Sequence, residues 1–210
     1  MKWLLIPGWS THPSIFSSYS KLFTDQVAYN WGFEENKKRT GDAEIAEILK
    51  DDYSILCYSM GTLKALELSL THKPKKIISI GGFASFCNNN KRRAMHINLM
   101  LRGLKKDHKK ILDDFAKNAQ LSEPKSCKWN LSNLESGLIS LRDDDFSTIS
   151  KSSNLDILLI EGIQDAIVPN DISQKLLNGP GSRNSVQIDG GHGMVETNVN
   201  EISRIISDNL

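Results

Sequence analysis

A serine, an aspartate and a histidine, met in that order, are the side chains of this sequence that could together transfer an acyl group. Ser59 lies in Ile55-Leu56-Cys57-Tyr58-Ser59-Met60-Gly61-Thr62, which reads as a strand running straight into a helix. A serine at such a corner is pushed out of the sheet edge, above a helix start whose N–H groups are free, and can act as a nucleophile. A glycine usually stands two residues before such a serine; here the position is Cys57. Asp165 follows the apolar, β-branched run Leu155–Ile160 and its extension Glu161-Gly162. His192, in Asp189-Gly190-Gly191-His192-Gly193-Met194, follows the short run Ser185–Ile188. Taken singly, Ser59 also fits a helix N-cap, Asp165 a turn or cap, and His192 a surface loop. Taken in order, each just past a strand, they fit a nucleophile (Ser59), its base (His192) and the acid that orients the base (Asp165). Asp189 is only three residues before His192 and suits a loop-shaping role, and Asp171 suits a helix start.

These residues need a scaffold that brings strand ends together. Apolar runs predict strands at Trp3–Ile6, Val27–Trp31, Ser54–Cys57, Lys76–Ile80, Leu155–Ile160 and Ser185–Ile188. Helical periodicity falls between them, at Ser14–Phe23, Asp42–Leu49, Thr62–Leu70, Asp171–Leu177 and Val195–Leu210. Alternating strands and helices predict an α/β fold, with a mostly parallel central sheet and helices on both faces. Ligands of such sheets gather at the C-terminal strand ends, where all three residues would lie.

The alternation stops between Phe86 and Ser150, where only helical periodicity remains. We read residues 1–86 and 151–210 as the core and residues 87–150 as a short helical lid inserted into it. Residues 88–128 hold eleven Lys and Arg against four acids, a net +7 in a chain whose total is +1. This excess suits either a solvated helix surface or a docking face for an acidic partner. It lacks the interleaved aromatics and motifs of a nucleic-acid binder.

The 210 residues, 39% hydrophobic and 24% charged, suit one soluble globular domain. Three cysteines, Cys57, Cys87 and Cys127, are an odd number without metal-site spacing, which favours a reducing, cytoplasmic setting. The opening Lys2-Trp3-Leu4-Leu5-Ile6-Pro7-Gly8 is too short for a signal sequence, and no run approaches the ~20 apolar residues of a membrane span. A monomer is expected, with no membrane or nucleic-acid partner and no metal or organic cofactor.

The Ser, Asp, His order is that of α/β-hydrolases. Gly8-Trp9 after the first strand, the Tyr58-Ser59-Met60-Gly61 elbow, the Gly162–Pro169 acid loop and Gly191-His192 resemble the pimeloyl-acyl-carrier-protein methyl ester carboxylesterases of biotin synthesis. So do Leu101–Asp107, Leu112–Phe115 and Gly137–Asp143, which match lid helices of that family. The resemblance spans nearly the whole chain; Pro7 stands where the family has histidine, and edge strands preceding the first strand are lacking. It implies Ser59, His192 and Asp165 as catalytic residues, and the backbone N–H groups of Trp9 and Met60 as the oxyanion hole. It also implies Phe115 as a lining of the acyl channel, Lys110 as a contact for the carrier, and acyl-carrier protein bearing a pimeloyl methyl ester as substrate; Lys105 and Lys109, from the same basic excess, are further docking candidates. Another serine esterase, a thioesterase, or a hydrolase-fold binding protein without turnover would fit the same residues.

Overall fold

The computed structural model describes residues 2–50, 52–122 and 128–210. Glu123, Lys125 and Cys127 lie outside the described residues. Six strands form one sheet: β1 (Lys2–Ile6), β2 (Gln26–Ala28), β3 (Tyr53–Tyr58), β4 (Ile77–Ile80), β5 (Ile157–Gly162) and β6 (Arg183–Ile188). Their order is β2-β1-β3-β4-β5-β6, and every pairing is parallel. All residues of β3, β4 and β5 are buried, which is why they read as unbroken apolar runs rather than as alternation.

The pleat sorts these runs onto two faces. Leu4, Ile6, Ile55, Cys57, Ile157 and Leu159 face one core, closed by α1 (Asp42–Leu49) and α2 (Gly61–Leu68). Leu5, Leu56, Tyr58, Ile78, Ile80, Leu158 and Ile160 face the other, closed by Phe16, Tyr19, Ile202, Ile205 and Ile206. A third cluster joins Trp9, Met60, Leu63 and Phe83 to α3 (Lys91–Ala119), through Ile97, Leu104 and Leu112. The same cluster holds Leu134, Leu138 and Leu141 of α4 (Leu131–Asp143). At about 1.5–3 kcal/mol for each large side chain fully buried, this third cluster fastens the inserted helices to the strand ends.

Several elements differ from their sequence-based expectation. The segment Pro13–Leu22 is a 3-10 helix, not an α-helix; Pro13 opens it and four serines follow, which compete for the backbone. β2 stops at Ala28, short of Trp31. The stretch from Asp171 splits into α6 (Asn170–Ser173) and a 3-10 turn, Gln174–Leu177, after α5 (Ser147–Ser152) and β5. The C-terminal stretch splits at Asn198 into α7 (Met194–Thr197) and α8 (Val199–Ser207). α3 breaks its helical dihedrals at Asp107 (φ −155°, ψ 81°), whose carboxylate accepts from the Lys110 N–H at 3.0 Å and so caps a second helical stretch. Gly103 lets the two stretches close up, since a Cβ there would fall 2.4 Å from Ile111 Cδ1. No described helix is long and apolar enough to cross a membrane.

Candidate active site

Ser59 is the first residue past β3 and takes φ +51°, a left-handed conformation that costs a non-glycine residue energy. Its N–H donates to the Ile80 carbonyl (2.9 Å), so the ladder to β4 holds the turn on one side. On the other side, Gly61 lies so close to β1 that a Cβ would fall 2.2 Å from the Ile6 carbonyl oxygen. The elbow is thus wedged between two neighbouring strands.

Cys57 fits in place of the usual glycine because its side chain turns to the α2 face, among small groups. Its Sγ lies 3.5 Å from Thr62 Oγ1 and from the Ile78 carbonyl, and Thr62 Oγ1 is 2.8 Å from Ser79 Oγ. Burial pushes the Cys57 thiol up to about 12, so it stays protonated and chemically quiet beside the serine.

His192 Nε2 is 2.9 Å from Ser59 Oγ, and His192 Nδ1 is 2.8 Å from Asp165 Oδ2. The other carboxylate oxygen, Asp165 Oδ1, accepts from the Ile167 and Val168 N–H groups at 2.9 and 2.8 Å. The acid is therefore fixed by its own loop while it holds the imidazole. All three residues are buried, with Ser59 6% exposed and His192 2%. A chain of this kind sets the imidazole with its proton toward the acid and a basic nitrogen toward the hydroxyl.

Contacts that sequence reading missed complete the setting. Tyr58, on the opposite face from Cys57, donates its hydroxyl to the His192 carbonyl (3.0 Å), and its ring lies 5.2 Å from the imidazole. Gly81 (φ +56°) passes the pair closely; a Cβ there would lie 3.4 Å from both Asp165 Oδ2 and His192 Nδ1. Gln120, the left-handed cap of α3, is pressed against the histidine loop. A Cβ at Gly191 would fall 2.3 Å from its Oε1, and one at Gly193 would fall 2.1 Å from its carbonyl oxygen. The Gly81-Gly82 and Gly190-Gly191 pairs were the available sequence signals, since paired glycines mark close approach.

The loop after β1 lies beside the elbow. A Cβ at Gly8 would be 3.2 Å from Ser59 Cβ. Trp9 is buried and donates its indole N–H to the Leu134 carbonyl (2.9 Å), and Phe115 meets the Trp9 ring edge-on at 4.9 Å. Met60 is the N-cap of α2 and fully buried. Asp189 accepts from Gln164 Nε2 (2.7 Å), tying two loops together without touching the histidine side chain. Lys105, Lys109 and Lys110 sit apart from this cluster with highly exposed side chains; Lys109 and Lys110 pair with Asp113 and Asp114 at 2.5 and 2.6 Å, and Lys105 reaches Glu135 at 4.0 Å.

No protein-family model matches the sequence, and no curated protein does. Solved structures do match the fold. A bromoperoxidase from Bacillus anthracis superposes with TM-score 0.81 at 17% identity, over 98% of this chain and 90% of that one. An esterase from Exiguobacterium antarcticum gives 0.78 at 15%, over 100% and 91%. An enol-lactonase from Burkholderia xenovorans gives 0.73 at 14%, over 99% and 90%. The chain has the α/β-hydrolase fold. These proteins carry different chemistries, and a shared fold does not fix the reaction.

Proposed function

We propose that this chain is a serine ester hydrolase, with Ser59 as nucleophile, His192 as base and Asp165 as orienting acid. The observation that carries the reading is the unbroken chain from Asp165 through His192 to Ser59, at 2.8 and 2.9 Å, ending on a serine held at a strained corner. His192 Nε2 takes the Ser59 proton as Oγ bonds to the ester carbonyl carbon. The Trp9 and Met60 N–H groups are proposed to meet the oxygen that becomes charged, a donor being worth roughly 3 kcal/mol. Collapse of the tetrahedral adduct breaks the bond to the alcohol, which leaves with the proton from His192. Water then attacks the acyl-serine, passing a proton to His192, and collapse of this adduct breaks the bond to Ser59 Oγ, which regains that proton as the acid departs.

Labelling with a fluorophosphonate and turnover of a p-nitrophenyl short-chain ester test the reading. Wild type should label and turn over, and Ser59→Ala should do neither while keeping its circular dichroism spectrum. Residual turnover within tenfold of wild type would remove Ser59 from the nucleophile's role.

The finer reading is that the substrate is the pimeloyl methyl ester carried on acyl-carrier protein, hydrolysed by a cytoplasmic monomer. Its support is the sequence resemblance, together with the contact of Phe115 on Trp9, which puts a lid aromatic beside the proposed oxyanion loop. Complementation of a biotin auxotroph lacking its own esterase tests it. Failure there, with ester turnover intact, would leave a serine esterase or thioesterase of other specificity.

A further inference from the structure

A cavity of about 370 Å³ lies beside the candidate active site without touching Ser59, Asp165 or His192. Its walls come from separate parts of the chain: the segment just after Trp9, the loop around Phe33, the end of α3, Trp129, and Glu196 just past the histidine loop. The walls are tied to one another. Asn130 N–H donates to the Phe33 carbonyl (2.6 Å), and Ser122 N–H donates to Glu196 Oε2 (2.7 Å). Its volume falls within the range of small-molecule sites.

The polar side chains on these walls are half used. His12 Nδ1 accepts from the Ser14 N–H (3.1 Å), which leaves its ring proton on Nε2. Asn30 Oδ1 accepts from the Gly32 N–H (2.8 Å), which leaves the amide NH2 as the other end. Glu196 spends one oxygen on Ser122 and keeps the other. The Glu34 carboxylate adds a further acceptor, and Phe33 and Trp129 supply aromatic surface. The lining therefore presents oriented donors and acceptors together with an aromatic wall. Among the described residues that line it, two carboxylates and no Lys or Arg oppose an anionic ligand. A bare ammonium could use the carboxylates but would leave the His12 and Asn30 donors unmatched. An alkyl chain would match none of them. A sugar ring both donates and accepts, and has an apolar C–H face for an aromatic surface.

We propose that this cavity is a binding site for an uncharged, hydroxyl-bearing sugar ring. The assignment does not depend on the role of Ser59. The test is titration of the intact protein by ligand-observed NMR and calorimetry with four probes: methyl β-D-glucopyranoside, glucuronate, butylammonium and hexanol. The glucopyranoside should bind saturably, and the other three at least tenfold more weakly. Asn30→Asp keeps the acceptor for the Gly32 N–H but replaces the donor with charge; it should weaken glucopyranoside binding at least fivefold. Trp129→Ala should weaken it at least tenfold. If either variant fails to fold by circular dichroism, the other decides. Absence of saturable glucopyranoside binding, equal binding of any of the other probes, or unchanged affinity in a folded variant would overturn the proposal. Turnover of a p-nitrophenyl ester is measured in parallel, so failure of the hydrolase reading shows separately from failure of the sugar site.

Discussion

Asp165 and Asp189 differ in what they hold. Asp165 contacts His192 Nδ1 and is itself fixed by two backbone N–H groups, whereas Asp189 binds the Gln164 side-chain amide. Replacing the acid by an amide puts a donor where Nδ1–H needs an acceptor, and so favours the wrong imidazole tautomer. Asp165→Asn should therefore lower kcat by about 10⁴-fold with little change in KM. Asp189→Asn should cost less than tenfold, because loss of an exposed hydrogen bond is worth only about 0.5–1.5 kcal/mol. Steady-state kinetics on both variants check this, and a larger loss at Asp189 would exchange the two assignments. At this scale the sequence was informative, because a parallel sheet gathers the residues that follow each strand at one edge. Ser59, Asp165 and His192 each follow a strand of that sheet within a few residues, and they do meet. The Tyr58 hydroxyl on the His192 carbonyl was not legible: the two residues are 134 positions apart, and nothing local to either names the other.

The start of α2 and the lid helix each carry a prediction of their own. Gly61 opens α2 against backbone, not against a side chain that could swing aside. Gly61→Ala should destabilise the fold by at least about 2 kcal/mol, within the range of severe overpacking, and shift Ser59 off its corner. Urea unfolding and ester turnover should fall together; unchanged stability would mean that the packing at β1 relaxes freely. On α3, Lys109 and Lys110 are joined to acids one turn on, an arrangement that suits a solvated helix surface as well as a docking face. Such exposed pairs are weak, screened by solvent and salt, so an acidic carrier could displace them at little cost. If the carrier docks there, its hydrolysis should fall steeply between 50 and about 300 mM salt, while a small neutral ester should barely respond. Superimposable salt curves would end that reading. The kink at Asp107 escaped the sequence because one apolar periodicity runs across both stretches, and an acid among lysines looks like a charge partner before it looks like a cap. The 3-10 form of Pro13–Leu22 escaped likewise, since its apolar spacing serves either helix.

For the molecule as a whole, buried phenols set an alkaline limit. Burial pushes Tyr53 up to about 12, and its hydroxyl donates to the His72 carbonyl at 2.6 Å. Tyr58 is also raised, by burial first and by Asp165 and Glu196 next. Unfolded tyrosines release their protons near pH 10, while these stay protonated in the fold. Their contribution to stability is thus complete below pH 10 and is lost as pH rises from about 10 toward 12, because the unfolded chain then binds fewer protons than the folded one. Melting temperatures taken from pH 9 to 12 should drop through that window, and Tyr53→Phe should shallow the slope. A flat profile would show that the phenols titrate as freely in the fold as outside it.

The junction at Gln120 carries a consequence for protein engineering. α3 ends by pressing the Gln120 side chain onto Gly191 and the Gln120 carbonyl onto Gly193, the two residues that bracket His192. A helix grafted in place of α3, or α3 lengthened by a single residue before Gln120, would arrive there with the wrong rotation and displace the histidine. Chimeras that exchange α3 should therefore keep Gln120 and both glycines as a fixed splice joint, and vary the sequence upstream of it in whole helical turns.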